Sequence, residues 1–170
     1  MKRLKLTLYF CLLINIDLSF AQSCNPNTIA DAPAGRYLMN ANGTAVDKKT
    51  GLTWMRCALG QTWKNAGCTG FAQSYTWQGA LQAAEDNVFA GLNDWRLPNQ
   101  KELQSLAEYH CYSPAINLKA FPNATSGWYW SSSPYATMID HAWVVNFLSG
   151  NDDNDNKSNG LAVRLVRGKP

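Results

Sequence analysis

The chain has 170 residues, 46% of them hydrophobic, and a net charge of +3 at neutral pH. This length predicts a single domain. The small net charge gives no electrostatic basis for binding nucleic acid or an acidic membrane surface, so neither partner is expected. Seven tryptophans and little helical periodicity predict an aromatic-rich core with much irregular backbone.

Residues 1–21 have the features of a signal peptide. A basic start leads into an apolar run over residues 6–16, and small residues stand at Ser19 and Ala21, before the predicted cleavage site. Asp17 interrupts the run, which is too short for a stable membrane helix, so a membrane anchor is the weaker alternative. Cleavage removes three basic residues and one acidic residue, which leaves a net charge of +1. The mature chain is expected in the periplasm, on the cell surface or secreted, without membrane insertion.

Four cysteines remain after Cys11 leaves with the signal peptide, and an even number in an exported chain predicts two disulfides. Three pairings are open. Cys57 and Cys68 flank a short loop that contains glycine, which favours Cys57–Cys68 and leaves Cys24–Cys111 to tether the N-terminus. A four-cysteine zinc site is disfavoured because no pair has C-x-x-C spacing, so no metal is predicted there.

Residues 22–35 are polar and contain proline, so they are predicted to form an extended arm before a single domain at 36–170. The first part of the domain reads as short strands separated by turns. Strands are predicted at Arg36–Asn40, Thr44–Asp47 and Leu52–Arg56. Asn42-Gly43 is typical of a hairpin turn. Residues 57–75 are predicted to be a loop closed by a disulfide.

Two helices are predicted in the middle of the chain. Thr76 can cap the first, which runs from Trp77 to about Val88. Its apolar face would consist of residues at helical spacing, namely Trp77, Leu81, Ala84 and Val88.

The motif Asp94-Trp95-Arg96-Leu97-Pro98-Asn99 predicts a rigid extended segment that buries its tryptophan and leads into the second helix. Asn99 and Glu102 have the spacing of a capping box. This helix is predicted to run from Gln100 to about Tyr109.

The C-terminal third is predicted to form strands at Trp128–Ser132, His141–Ser149 and Gly160–Arg167. In the middle strand, alternation predicts that three residues face outward: Val144, Asn146 and Leu148. Two helices packed on small, mainly antiparallel sheets with long irregular loops give an α+β class.

A polar segment at 151–159 separates the last two predicted strands. Its composition is typical of a solvated hairpin loop. Asp152, Asp153 and Asp155 are also hard oxygen ligands suited to calcium, but the glycine and glutamate of an EF-hand loop are missing. Calcium therefore stays an alternative, and no cofactor is predicted.

Several motifs occur along the domain in an order that resembles one family. They include Thr50-Gly51-Leu52-Thr53-Trp54, Asp94–Asn99, Tyr129-Trp130-Ser131-Ser132-Ser133 and Val163-Arg164-Leu165-Val166-Arg167. Over residues 36–167 the chain resembles the Lcl C-terminal domain family of exported bacterial proteins. The resemblance implies a C-type-lectin-like fold without an assigned enzymatic activity. It also implies a role in surface attachment, where the family's best-understood members bind sulfated polysaccharides.

The resemblance also implies where a ligand would bind. In relatives of this fold with diversified binding residues, the C-terminal hairpin carries the varied positions, and their composition is close to that of segment 151–159. The predicted ligand-contacting residues are Trp128, Tyr129, Val144, Asn146, Leu148, Asn151, Asp152, Asp153, Asn154, Asp155, Asn156 and Ser158. A surface carbohydrate or a protein is the expected ligand. The acidity of the segment disfavours heparin-like anions there.

An enzyme and a structural subunit are the alternatives to a binding module. The chain contains two histidines, His110 and His141, and no Gly-x-Ser-x-Gly elbow accompanies them. Enzymatic activity is therefore not expected, although an enzyme or accessory domain of the sulfatase-modifying type stays open, as does a structural subunit of a surface complex. The sequence also leaves open whether the protein forms a homo-oligomer.

Overall fold

Short antiparallel strands and two helices make up the computed structural model, which describes residues 21–169. The strands are β1 (Ser23–Cys24), β2 (Tyr37–Met39), β3 (Thr44–Asp47), β4 (Thr53–Met55), β5 (Thr62–Lys64), β6 (Gly67–Thr69), β7 (Cys111–Tyr112), β8 (Trp128–Pro134), β9 (His141–Asn146), β10 (Asp152–Asn156) and β11 (Val166–Arg167). The helices are α1 (Trp77–Glu85) and α2 (Gln100–Gln104). The predicted α+β class is confirmed. The predicted signal peptide lies outside the described residues, apart from its last position.

Neither helix of the described residues is long and apolar enough to cross a bilayer.

A four-stranded antiparallel sheet joins the beginning and the end of the domain, in the order β11-β4-β3-β2. Val166 of β11 pairs with Trp54 of β4. The turn between β2 and β3 requires glycine, because Gly43 has a φ of +86° and a Cβ there would lie 2.6 Å from the Trp63 side chain. The hairpin predicted around Asn42-Gly43 is therefore present. Strand β3 has the predicted bounds, and β2 is one residue shorter at each end than predicted.

A second antiparallel sheet, in the order β10-β9-β8, lies between two hydrophobic cores. From one face of this sheet, the first core receives Tyr129, Val145 and Phe147. From the opposite face, the second core receives Trp130, Ala142 and Val144. Helix α2 contributes Leu103 to the first core, and α1 contributes Ala80 and Ala84 to the second. Because successive strand residues point to opposite faces, a strand covered on both sides is apolar at consecutive positions.

Several predicted boundaries are wrong because tertiary packing decides where an element ends. Helix α1 stops at Glu85, and Val88 is 72% exposed instead of lying on the apolar face. Helix α2 stops at Gln104, well before Tyr109. Segment 160–167 forms a regular strand only in its β11 part, and isolated bridges hold much of the rest.

The polar segment 151–159 is not a loop, because β10 occupies most of it and pairs with β9. Asp and Asn have low strand propensity, so this pairing depends on the partner strand rather than on the segment's own sequence. Charged residues on an edge strand also oppose pairing with other chains. The predicted loop at 57–75 likewise contains a hairpin, formed by β5 and β6.

Both predicted disulfides are present: Cys57–Cys68 and Cys24–Cys111. The second joins β1 to β7, so it tethers the N-terminal arm to the domain. Gln22 supports the same attachment, since its Nε2 donates to the carbonyl of Ile116 at 2.7 Å.

The Asp94–Asn99 motif joins helix α2 to strand β11. Trp95 is 3% exposed and lies in the second core, as predicted. The guanidinium of Arg96 donates to both carboxylate oxygens of Glu102, at 2.8 and 2.7 Å, and its backbone exchanges two hydrogen bonds with β11. The Glu102 carboxylate also accepts from the Asn99 N–H at 2.7 Å, so the predicted capping box is present.

We predict that Glu102→Gln lowers the free energy of unfolding by about 1–2 kcal/mol near neutral pH, because a charged acceptor of Arg96 is lost. Burial alone would raise the pKa of Glu102, but hydrogen bonds from Arg96 and the Asn99 N–H hold it below its ordinary value of 4.5. The carboxylate therefore stabilises the fold fully above that ordinary value. Its contribution is lost as the pH falls through the lower pKa of the folded state.

Urea unfolding from about pH 7 down to about pH 2 measures this effect. The unfolding free energies of the wild type and Glu102→Gln should converge at the lowest pH. Glu85→Gln, at an exposed position in α1, is the control and should unfold like the wild type. A difference between wild type and Glu102→Gln that stays constant over the whole range would contradict the assignment.

Candidate functional site

Part of one face of the three-stranded sheet is left uncovered by the cores, and we name it the open face. Strand register defines its side chains: Asn154 pairs with Trp143 and Asn156 pairs with His141, and paired residues of antiparallel strands point to the same side. Asp152 lies two positions from Asn154 on its strand, so it shares that side. The open face consists of Tyr135, His141, Trp143, Asp152, Asn154 and Asn156.

Tyr135 and Trp143 form an aromatic pair on the open face. Their ring centroids are 5.0 Å apart, with an edge-to-face angle of 73°. Both rings are partly exposed, and neither belongs to the two cores formed by the described residues. Strand β8 shifts register between Trp130 and Pro134, and a bulge of this kind redirects the side chains that follow it. The pair therefore offers aromatic surface to solvent instead of to the core.

Polar side chains beside the aromatic pair are held in place by hydrogen bonds. His141 Nδ1 lies 2.7 Å from the amide oxygen of Asn154. Since that oxygen can only accept, Nδ1 carries the hydrogen. Asn156 Nδ2 donates to the carboxylate of Asp140 at 2.9 Å. The imidazole and the two amides are thus fixed in orientation before any ligand arrives.

The start of helix α2 borders the open face. The Gln100 side chain donates to the carboxylate of Asp152, and its backbone N–H donates to Ser133 Oγ at 3.0 Å. Ser132 N–H donates to the carbonyl of Pro98 at 2.7 Å. The capping box that positions α2 therefore also positions this edge of the open face.

The remaining predicted ligand residues of β10 point away from the open face. Asp153 and Asp155 alternate with Asn154, so they lie on the opposite side of the sheet, which also carries Trp128 and Asn146. Trp128 packs against the second core. The structure thus divides the predicted set between two faces of one sheet.

The predicted ligand positions at Val144 and Tyr129 are wrong, because these residues are 1% and 0% exposed. The Tyr129 ring packs edge to face on Phe147, with centroids 5.1 Å apart, and its hydroxyl lies 2.8 Å from Thr125 Oγ1. The prediction assumed that one face of β9 is solvated. Strand β9 is instead the central strand of its sheet, and cores cover both faces at Val144 and Val145.

Three other predicted residues lie near the ends of β10. Leu148 is 47% exposed in the turn after β9, where its N–H donates to Asn146 Oδ1 at 2.8 Å. Asn151 is exposed just before β10. Ser158 is exposed just after it and donates to Asn156 Oδ1 at 2.7 Å.

Sequence reasoning missed Tyr135, His141 and Trp143 as open-face residues. The sequence does contain a usable signal, the glycine at position 150. In the structure Gly150 lies in the turn between β9 and β10 and has a φ of +87°. A hairpin placed on that glycine puts Asn154 opposite Trp143. A tryptophan whose cross-strand neighbour is a polar residue of an edge strand is expected to face water.

The acidic residues of β10 do not converge on one point, since Asp152 faces one side and Asp153 and Asp155 the other. Calcium takes six to eight oxygen ligands around a single centre. One side of the sheet supplies one of these three carboxylates and the other side supplies two. Among residues 21–169, the three metal-ligating side chains that cluster are Cys24, His110 and Cys111. Their two sulfurs are joined in a disulfide.

A cavity of about 580 Å³ lies between α1 and the Asp94–Asn99 motif. Much of its wall is apolar, including Leu81, Ala84, Trp95 and Leu97. Its polar groups at Arg96 and Asn99 already bind Glu102. The cavity has room for a ligand, and Glu85 is a further, exposed polar group on its wall.

A family model described as the Lcl C-terminal domain matches residues 43–167. No curated protein matches the chain. The matched range contains both helices, the whole three-stranded sheet and every residue of the open face. The chain belongs to the Lcl C-terminal domain family.

Proposed function

We propose that this protein is an exported, non-enzymatic binding module that recognises a surface carbohydrate through the open face. The observation that carries the proposal is the pair Tyr135 and Trp143, whose rings lie 5.0 Å apart outside both cores. Tyrosine and tryptophan are favoured where one part of a ring meets apolar surface and another part meets water. Loops on a rigid scaffold are also where binding residues concentrate, and Tyr135 lies in the loop after β8.

The open face matches the two kinds of surface that a sugar ring presents. One is an apolar face of C–H groups, on which the Trp143 ring can stack. The other is a rim of hydroxyls, which Asp152, Asn154 and His141 can bind as donors and acceptors. Because Asn154 and His141 are already bonded to each other at 2.7 Å, less side-chain freedom is lost on binding.

The charge of the open face favours a neutral sugar over a sulfated one. Asp152 lies on the open face, and Asp140 binds Asn156 at its edge. Lys157, which follows β10, is turned toward α1, with its Nζ 4.5 Å from the centre of the Trp77 ring. The carboxylates of Asp152 and Asp140 repel an anionic ligand.

Export and fold support the same proposal. Disulfides form and persist outside the cytosol, and this domain has two. The C-type-lectin-like fold implied by the resemblance is supported by the four-stranded sheet, in which β2 and β11 bring the two ends of the domain together. The signal peptide at 1–21 is proposed on its sequence alone.

A glycan array of neutral and sulfated sugars, followed by calorimetry on the strongest binder, tests the site. Trp143→Ala and Asn154→Ala should each weaken binding about tenfold or more, because they remove a stacking surface and a polar contact. Trp128→Ala and Asp153→Ala are matched controls on the opposite side of the same sheet. Their affinity should stay within about twofold of the wild type.

Equal losses in the controls and the open-face variants would contradict the site, as would unchanged binding by Trp143→Ala. Tighter binding of sulfated than of neutral sugars would contradict the proposed ligand class. Binding to proteins but to no glycan would reject carbohydrate in favour of a protein ligand.

Trp143 should also matter little for stability, since it lies outside both cores. We predict that Trp143→Ala lowers the free energy of unfolding by about 1 kcal/mol or less. Trp130→Ala should cost roughly 3–5 kcal/mol, because Trp130 is 0% exposed in the second core. Urea unfolding compares the two, and equal losses would show that Trp143 is a core residue.

A further inference from the structure

The disulfide Cys24–Cys111 lies beside a histidine–carboxylate pair. His110 Nε2 is 3.4 Å from Cys111 Sγ, and His110 Nδ1 is 2.7 Å from a carboxylate oxygen of Glu108. Cys111 is 5% exposed, whereas Cys24 is exposed. All four residues line a cavity of about 310 Å³, whose wall also includes Lys119. A basic ring therefore contacts the buried sulfur while the other sulfur remains open to solvent.

Glu108 fixes the orientation of the imidazole. The Glu108 side chain is almost fully buried, and its carboxylate accepts the N–H groups of Asp31 at 2.7 Å and Ala32 at 2.9 Å. A carboxylate held in this way is an acceptor for His110, so Nδ1 carries a hydrogen. The other nitrogen, Nε2, is the one that faces Cys111, and it can hold or release a proton there.

We propose that Cys24–Cys111 is a site of thiol–disulfide exchange with a small thiol, and that His110 is its acid. The incoming thiolate attacks Cys24 Sγ and forms a new S–S bond with it, while the bond between Cys24 and Cys111 breaks. The electron pair of the broken bond stays on Cys111 Sγ. Protonated His110 gives its Nε2 proton to that sulfur. The products are a mixed disulfide at Cys24, a thiol at Cys111 and neutral His110.

The cavity favours a small thiol that carries a carboxylate. Its volume of about 310 Å³ suits a low-molecular-weight molecule, and Lys119 on its wall can bind an anionic group. Other charged and titratable groups lie near Glu108. Arg36 and Tyr37 interact with it electrostatically, Asp31 of the arm donates its backbone N–H to it, and Lys119 lines the same cavity.

Exchange at this bond changes how the N-terminal arm is held. With the disulfide open, the arm keeps the short pairing of β1 with β7 and the bonds from Gln22 to the carbonyls of Pro114 and Ile116, at 2.6 and 2.7 Å. Glu108 also binds the arm through Asp31 and Ala32. The residue that orients the histidine thus also docks the arm.

The second disulfide provides an internal control. Cys57 and Cys68 are 2% and 3% exposed, and Cys68 lies in β6. The chain has two histidines, and His141 lies on the open face. Exposure alone would make Cys24–Cys111 react faster, so a histidine variant is needed to separate access from acid catalysis.

The test incubates the oxidised protein with reduced glutathione from about pH 5 to about pH 8.5, followed by alkylation and peptide mass spectrometry. Glutathione should appear on Cys24, and Cys24–Cys111 should react about tenfold faster or more than Cys57–Cys68. His110→Gln should slow the reaction of Cys24–Cys111 by about tenfold near pH 6, because the acid that protonates Cys111 Sγ is lost. In His110→Gln the exchange rate should then rise with pH in proportion to the fraction of glutathione present as thiolate. This rise should be steeper than in the wild type.

His141→Gln is the matched control and should keep the wild-type rate and pH profile. An unchanged rate of Cys57–Cys68 in His110→Gln shows that the fold is retained. Equal rates for the two disulfides would overturn the proposal, as would glutathione on Cys111 instead of Cys24. An unchanged pH profile in His110→Gln would show that His110 has no part in the exchange.

Discussion

The arrangement of this domain depends on the hydrogen bonds that the carboxylate of Glu102 accepts. It accepts both guanidinium bonds of Arg96 and the backbone N–H of Asn99, so it ties the start of α2 to the segment that pairs with β11. Helix α2 in turn covers one face of the three-stranded sheet, and its first residue, Gln100, holds Asp152 on the open face. One short motif therefore fixes the C-terminal strand, the sheet and the edge of the candidate site together.

The position of the open face follows from the way that the cores are divided. Two cores cover much of the three-stranded sheet, which leaves one side of the first half of β9 and the edge strand β10 for contact with solvent. A ligand surface placed there can vary without disturbing packing, because Trp143 and Asn154 contribute little to either core. The chain thus separates a rigid scaffold from a tolerant surface.

The capping box could be predicted from the sequence because its partners, Asn99 and Glu102, are three positions apart and their chemistry is local. The burial of Val144 could not, because it depends on α1 and the second core, which are distant in sequence. Strand β10 could not be predicted either, since its Asp and Asn residues have low strand propensity and are extended only because they pair with β9. Because the sequence did not reveal how β10 pairs with β9, it could not show that the predicted ligand residues lie on two faces of the sheet.

The most direct test of carbohydrate recognition by the open face is a nuclear magnetic resonance titration of the isotope-labelled protein with the neutral sugar that binds best. The seven tryptophan indole N–H signals report separately on the cores and on both sides of the sheet. We predict that the Trp143 signal shifts progressively to saturation while those of Trp130 and Trp128 stay in place. A shift of Trp128 with Trp143 unmoved, or no shift of Trp143 at saturating sugar, would contradict the proposed site.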